Sequence, residues 1–198
     1  LTRTQYEMHR PDAMQVEPKE LIRVLNEAGV KFVLMGQHGI SGWLTEPRAT
    51  RDVDVVVQKR HFSKAVRAVH AAWPDLVIRE FPVVTRFLDP ANKEPVIDVM
   101  RPNGVYCEAF KNCVRVGDTY DVPSLELALA SRFAAMTSRN RQIPKRYADA
   151  GSFAEMVLRN HTMIDFDRLR RLGDAAKAGG GEEIVRSVAD VQAGRMLL

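Results

Sequence analysis

Residues 32 to 57 read FVLMGQHGISGWLTEPRATRDVDVVV, and this stretch carries the signals that decide the fold. An apolar run at residues 31 to 35 and a valine-rich run at residues 52 to 57 predict two strands. Gly36 separates the first strand from a predicted short helix at residues 37 to 44. We therefore expect a strand, a glycine turn, a short helix and a second strand in close succession.

Two carboxylates, Asp52 and Asp54, lie on the second of these strands. Because side chains alternate along a strand, both point to one face, while Val53 and Val55 point to the core. Carboxylates held side by side repel each other unless a cation lies between them. All-oxygen ligands suit Mg²⁺, which combines carboxylates with substrate phosphates. The pair therefore predicts a Mg²⁺ site, with Mn²⁺ as the alternative ion, although a solvent-facing strand edge is also open.

A third carboxylate, Asp98, lies inside the apolar run PVIDVM at residues 95 to 100. A charge in such a run is costly unless it has a function or a partner, and an ion pair with an arginine is the alternative explanation. If this strand lies beside that of Asp52, three carboxylates meet. Three carboxylates are enough to bind two metal ions, the arrangement used for in-line displacement at phosphorus.

Several other residues are candidates for binding phosphate. A backbone without a side chain at Gly36 can approach a phosphate, and the N–H groups of the next helix can bind it, although a tight turn explains the glycine equally. Lys145 follows a proline at a predicted helix start, where a cation is unfavourable with the helix dipole, and this favours an anionic ligand. Arg48 is a candidate for neutralising phosphates, and His38 is either a phosphate contact or a structural histidine.

Together these motifs resemble the nucleotidyltransferases of the DNA polymerase β superfamily, above all its abortive-infection or toxin-type (AbiEii-like) branch. The first part of the resemblance is the order G-x-x-G, a spacer, R-x-T-x-D-V-D-V-V-V and a later acid. The matching residues are Gly36, Gln37, His38, Gly39, Arg48, Thr50, Asp52, Asp54 and Asp98. The second part is a leucine-rich helix at residues 125 to 136, then Arg139 and Arg141, then Lys145 and Asp149.

The resemblance implies metal-dependent transfer of a nucleoside monophosphate from a nucleoside triphosphate to a hydroxyl acceptor, with release of pyrophosphate. It implies that the catalytic metal ligands are Asp52, Asp54 and Asp98. It implies that the nucleotide is bound by Gly36, Gln37, His38, Arg48, Thr50 and Lys145. The acceptor is left open among a small molecule, RNA and a protein, and the toxin-type branch implies a cognate antitoxin protein as a partner.

Gln37 departs from the family pattern, which usually has Gly or Ser at this position. Its bulk favours an alternative function, in which a weakened nucleotidyltransferase fold senses nucleotides or binds another protein.

Composition places broad limits on the protein. The 198 residues are 45% apolar and 27% charged, which excludes a disordered or fibrous chain. The 29 basic and 25 acidic residues leave a net charge of +4, which permits an anionic partner without requiring one. Two cysteines exclude a disulfide framework, and no apolar run is long enough to span a membrane, so we expect a cytoplasmic protein.

Strands and helices mix in the first part of the chain, and helices dominate after residue 120. This pattern predicts an α+β fold followed by a C-terminal helical region. The resemblance implies that the α+β part is a polymerase-β-like core of mixed sheet flanked by helices. We assign residues 1–120 to the nucleotidyltransferase core and residues 121–198 to the helical region packed on it. Ser124 is the expected N-cap of the first helix of that region. Three glycines at residues 179 to 181 predict a hinge before the last helix.

Overall fold

The computed structural model describes residues 14–46, 48–195 and 197. In them a mixed sheet carries helices on both faces. The strands are β1 (Phe32–Leu34), β2 (Val53–Val57), β3 (Val77–Glu80), β4 (Val84–Leu88), β5 (Pro95–Met100), β6 (Cys113–Val116) and β7 (Tyr120–Pro123). The α-helices are α1 (Pro18–Glu27), α2 (Gly36–Ile40), α3 (Phe62–Ala72), α4 (Leu125–Thr137), α5 (Ile143–Asn160), α6 (Phe166–Ala176) and α7 (Gly180–Gln192).

The strands form one sheet in the order β3-β4-β5-β2-β1-β7-β6. The pairs β2–β5 and β1–β7 are parallel, and the remaining pairs are antiparallel. The predicted α+β class with a mixed sheet is therefore confirmed. Because β5 lies directly beside β2, the strand that carries Asp98 is the neighbour of the strand that carries Asp54.

The central strands are buried on both faces, which explains the run of valines in β2. Val53, Val55 and Val57 pack on one face against α1 and α3. Val56 points to the other face, where α4 to α7 build a second core. Because side chains alternate along a strand, β2 contributes valines to both hydrophobic cores. The same alternation places Asp54 on the face covered by the later helices.

Helix α4 joins the sheet to the helical layer. Its N-cap Ser124 accepts a hydrogen bond from the N–H of Leu127, as the sequence predicts. Leu127, Leu129 and Phe133 are fully buried in the core that the later helices share with Val33 and Val56 of the sheet. The last strand, β7, crosses the boundary predicted between residues 120 and 121, and the uninterrupted helical part of the chain begins at Leu125.

Two features differ from the sequence-based expectations. The predicted glycine hinge is wrong at two of its three positions: Gly179 has a positive φ of 71°, but Gly180 and Gly181 begin helix α7. These glycines let α7 pack closely on α6, since a Cβ on Gly180 would lie 2.2 Å from the carbonyl oxygen of Gly173. The β6–β7 hairpin was also not predicted.

Among the helices that the structure describes, none has the length and apolar character needed to cross a membrane.

The α6–α7 contact is expected to depend on Gly173. A Cβ there would lie 2.6 Å from both the carbonyl oxygen of Gly180 and Cγ2 of Ile184, so Gly173→Ala should lower the free energy of unfolding by about 1–3 kcal/mol. Gly151→Ala in α5 is the matched control. Its Cβ would meet only Arg48, at 3.8 Å, and should stabilise the helix by about 0.5–1 kcal/mol. Urea denaturation measures both, and equal effects at the two glycines would contradict the packing described.

Candidate active site

A row of residues crosses three neighbouring strands on the face covered by the later helices and ends at the turn after β1, and we call it the acid row. In the β2–β5 register Asp54 lies beside Asp98, and in the β4–β5 register Asp98 lies beside Arg86. On the other side of β2, the N–H of Met35 donates to the carbonyl of Asp54 at 2.8 Å, and Gly36 follows directly. The acid row is therefore Gly36, Asp54, Asp98 and Arg86.

A cavity of about 410 Å³, the acid cavity, opens over this row between the sheet and helices α4 and α5. It gathers eight of the nine site residues predicted from the sequence. They are Gly36, Gln37, Arg48, Thr50, Asp52, Asp54, Asp98 and Lys145.

His38 is the predicted site residue that the structure places elsewhere. It lines a separate pocket with Trp43 and Tyr120. Burial lowers its pKa, and the negative charge of Asp52 offsets part of that shift. A nucleotide-binding role for His38 therefore finds no support in the position of its side chain.

Gly36 is required by sterics as well as by backbone conformation. Its φ is +60°, in the left-handed region that favours glycine. A Cβ on this residue would lie 1.9 Å from Oδ2 of Asp54, so even alanine would displace the carboxylate. The glycine that begins α2 thus leaves the space that the Asp54 side chain occupies.

The acids are crowded, and their pKa values show it. Burial, followed by the charges of Asp52 and Asp98, raises the pKa of Asp54 from 3.8 to about 7. The positive charges of Arg132 and Arg86 reduce this shift without cancelling it. The pKa of Asp98 is also raised by burial, although Arg86 and Lys145 act in the opposite direction. The cavity therefore has a deficit of positive charge at its floor.

Neighbouring groups hold the two outer acids. The Thr50 hydroxyl donates to Oδ1 of Asp52, and Nε of Arg86 donates to Oδ2 of Asp98 at 3.1 Å. The second oxygen of Asp98, Oδ1, is buried and has no partner among the described residues. With the side chains in these positions, no group of three or more Asp, Glu, His or Cys within residues 14–46, 48–195 and 197 is arranged to bind a metal ion.

The helical wall of the cavity is basic. Asp149, which is 3% exposed, accepts hydrogen bonds from Nη1 of Arg132 at 2.9 Å and from Nε of Arg141. Nε and Nη2 of Arg132 are buried without a partner in the described part of the chain. On the opposite wall, Nε2 of Gln37 is also buried without a partner among the described residues. Unpaired buried donors are costly, so both walls favour a ligand rich in acceptor oxygens.

Arg48 and Lys145 reach the cavity in different ways. Arg48 forms an ion pair with Glu155 at 2.8 Å and donates to the Ser152 hydroxyl, which ties the segment before β2 to helix α5. Lys145 stands in the first turn of α5 and lies close enough to Asp98 to affect its pKa.

Sequence reasoning missed Arg86 and Arg132. Both are charged residues within an apolar stretch, which is the feature that identified Asp98. Arg86 lies inside VVTRFL at residues 83 to 88. Arg132 lies inside LALASRFAAM at residues 127 to 136. Applying the same criterion to basic residues would have found them.

Comparison with known proteins supports the fold. No protein-family profile matches the sequence, and a search of curated proteins finds no match. An antigenic nucleotidyltransferase-like protein from Paracoccidioides brasiliensis is 15% identical, with a TM-score of 0.51 over 91% of this chain and 94% of its own. A candidate nucleotidyltransferase from Helicobacter pylori is 13% identical, with a TM-score of 0.50 over 89% of this chain and 93% of its own. The chain therefore has the nucleotidyltransferase fold.

The steric role of Gly36 can be tested by Gly36→Ala. We expect a loss of about 1–3 kcal/mol in the free energy of unfolding, because the positive φ and the overlap with Asp54 both oppose a Cβ. Gly42→Ala, in the adjoining 3₁₀ turn, is the control, since its Cβ would meet nothing within 4 Å. Urea denaturation of both variants provides the measurement, and equal stabilities would contradict the prediction.

The raised pKa of Asp54 predicts a stability that depends on pH in the absence of divalent metal. Between its unfolded value of 3.8 and its folded value of about 7, the folded state binds more protons than the unfolded state. Stability should therefore fall as pH rises through this window, by up to about 1.4 kcal/mol per pH unit. Asp54→Asn removes the charge and should raise the melting temperature more at pH 8 than at pH 5.

The control for this titration is Asp75→Asn in the exposed turn after α3. Thermal denaturation in EDTA across the pH range compares the two variants with the wild type. A benefit of Asp54→Asn that is the same at both pH values would disprove the assigned cause.

Proposed function

We propose that this protein is a divalent-metal-dependent nucleotidyltransferase, which moves a nucleoside monophosphate from a nucleoside triphosphate to a hydroxyl acceptor and releases pyrophosphate. The observation that carries the proposal is the side-by-side placement of Asp54 and Asp98 on parallel strands, with Asp52 in the same cavity. The fold agrees with it, since the two solved structures compared above are described as a nucleotidyltransferase-like protein and a candidate nucleotidyltransferase.

The acids at the cavity floor have the chemistry of a divalent-cation site, and binding would require their carboxylates to turn toward a common point. The acids at the cavity floor supply carboxylate oxygens alone, the donor set that Mg²⁺ and Mn²⁺ prefer. Oδ1 of Asp98 is buried without a partner in the described part of the chain, and the charges of Asp52 and Asp98 add to the effect of burial in raising the pKa of Asp54. We therefore assign metal binding to Asp52, Asp54 and Asp98. When bound, the cation would neutralise the phosphates and make the acceptor hydroxyl more acidic.

The triphosphate is assigned to the acid cavity, with its outer phosphates at the Gly36 end. Gly36 lines this end of the cavity, and Nε2 of Gln37, which has no partner among the described residues, can donate to a phosphate oxygen. In this assignment the Gln37 side chain is a hydrogen-bond donor to the triphosphate. The unpaired donors of Arg132 on the opposite wall, together with Lys145, would stabilise negative charge on the departing pyrophosphate.

Asp98 is the acid at the far end of the row from Gly36, and we assign to it the proton of the acceptor hydroxyl. Arg86 orients this carboxylate through Oδ2.

A nucleotide-sensing or protein-binding module is the second candidate function. The observation that favours it is the Arg86–Asp98 ion pair, which engages one oxygen of the third acid. Calorimetry with Mg²⁺ and each nucleoside triphosphate, run beside a transfer assay, separates the two functions. Binding without pyrophosphate release in the presence of total cell extract would favour the module. The toxin-type branch, an antitoxin partner and a cytoplasmic location remain predictions from the sequence.

Replacement of Asp52 or Asp54 by Asn is expected to abolish activity. Each change removes a carboxylate charge while keeping the shape of the side chain, and the rate should fall by a factor on the order of 100 or more. Labelled nucleoside triphosphates incubated with total cell extract and Mg²⁺ report transfer, and released pyrophosphate is measured in parallel. Asp75→Asn is the control on the surface, and activity that survives both active-site changes would refute the proposed function.

A further inference from the structure

A carboxylate of helix α5 binds the segment of chain that leads into β2. The N–H of Thr45 donates to Oε1 of Glu155 at 2.8 Å, and Nη2 of Arg48 donates to Oε2 at 2.8 Å. Burial acts to raise the pKa of this carboxyl, but hydrogen bonds from the N–H groups of Thr45 and Glu46 and from Arg48 lower it overall. Glu155 is therefore a charged acceptor with both of its oxygens engaged by one segment, and charge-assisted hydrogen bonds are strong.

The contacts with α5 matter because regular secondary structure does not hold this segment. Between the 3₁₀ turn that ends at Trp43 and the first residue of β2, Val53, the described residues form bends and irregular chain. Among residues 45, 46 and 48–51, the described hydrogen bonds that reach another element all go to α5, at Glu155 or Ser152. Irregular chain has many accessible conformations, so these few contacts determine where the segment lies.

The segment carries part of the acid cavity. Arg48, Thr50 and Asp52 all line that cavity, and the Thr50 hydroxyl donates to Oδ1 of Asp52. Glu155 lies outside the residues described as lining the cavity, three positions beyond Ser152 on α5. Any effect of Glu155 on the acids is therefore transmitted by the segment that it binds.

The contacts of Arg48 favour a structural role for this side chain. Its Nη1 donates to the Ser152 hydroxyl at 3.2 Å, and its Nη2 donates to Glu155. Each terminal nitrogen of the guanidinium thus has a partner on α5. An arginine engaged in this way is less available to phosphate than one with free donors, so its contribution to the site is to hold the chain in place.

On the basis of the proposed function, we propose that Glu155 is a positioning residue, which fixes residues 45–50 so that Asp52 faces the same cavity as Asp54 and Asp98. Glu155 touches no reacting atom. It acts through the N–H of Thr45 and the guanidinium of Arg48, and the Thr50 hydroxyl passes the constraint to Asp52. A misplacement of about 1 Å at a catalytic group can lower a rate by about 100-fold, so a distant contact of this kind is functionally important.

Two substitutions separate the contacts of Glu155. Glu155→Gln keeps an oxygen that can accept from the N–H of Thr45, but its amide nitrogen cannot accept from Arg48. Glu155→Ala removes both contacts. Glu183→Gln in α7 is the matched control, because it breaks an ion pair of 2.7 Å with Lys177 at residues outside the lining of the acid cavity.

Binding of non-hydrolysable analogues of ATP, GTP, CTP and UTP tests the proposal without an acceptor and without turnover. Calorimetry measures the affinity of each analogue once with Mn²⁺ and once with EDTA. The ratio of the two affinities reports how well the acids bind the metal ion. Thermal denaturation identifies a temperature at which every variant is folded, so that a loss of stability alone leaves this ratio unchanged.

We expect Glu155→Ala to lower the ratio by about tenfold or more, since groups that hold metal ligands in place change metal affinity by about 10–100-fold. Glu155→Gln should lower it by a smaller factor, and Glu183→Gln should leave it as in the wild type. Arg48→Gln removes the same ion pair from the other side. The double variant Arg48→Gln/Glu155→Gln should therefore bind no more weakly than Arg48→Gln alone.

Three results would overturn the inference. A folded Glu155→Ala protein with the ratio of the wild type would make Glu155 a residue of structure alone. Tighter binding of an analogue by Glu155→Gln would show that Glu155 withholds Arg48 from the phosphates. Losses that add in the double variant would show that the two side chains act independently.

Failure of the proposed function is seen in the wild type instead. There, Mn²⁺ would not increase the affinity for any of the four analogues, and the inference would fail together with the proposed function.

Discussion

The structure depends on one electrostatic constraint, the closeness of two carboxylates in a partly desolvated cavity. The parallel pairing of β2 with β5 sets Asp54 beside Asp98. Like charges so placed repel each other, and the surrounding structure limits that repulsion. Thr50 donates to Asp52, Arg86 pairs with Asp98, and the charge of Arg132 acts on Asp54 from the helical wall. These positive charges do not offset the effects of burial and of the neighbouring acids, which raise the pKa of Asp54 from 3.8 to about 7. The crowded acids at the floor of the cavity therefore face basic side chains on its walls.

Neither half of the chain forms this cavity alone. The sheet contributes the acids and the Gly36 turn, while α4 contributes Arg132 and α5 contributes Lys145 and Asp149. Arg48 links the two layers by pairing with Glu155. The Asp149 carboxylate joins Arg132 of α4 to Arg141 in the connection between the helices. Because these contacts fix how the helical layer sits on the sheet, the packing of α4 to α7 determines the shape of the site as well as the stability of the core.

Much of this arrangement could be predicted because it follows from local rules. Alternation along β2 placed Asp52 and Asp54 on one face, and the N-cap at Ser124 marked the start of the helical layer. Local rules could not place Asp98 beside Asp54. That placement depends on the order of the strands in the sheet, which is set by pairing between distant parts of the chain. Arg86 was missed because only acids were tested for a charge in an apolar strand. The β6–β7 hairpin was not predicted, although Val114 and Val116 flank Arg115 in an alternating pattern that ends at a Gly-Asp turn. His38 follows Gly36 by two residues, yet the turn of α2 directs it into another pocket.

The acid cavity shares part of its wall with a neighbouring cavity of about 660 Å³, and this sharing has a thermodynamic consequence. The residues that line both are Arg86, Asp98, Arg141 and Lys145. A ligand in either cavity would change the electrostatic potential at these groups, so binding in one cavity would be linked to binding in the other. Such linkage is reciprocal: the factor by which a first ligand changes the affinity for a second equals the factor by which the second changes the affinity for the first.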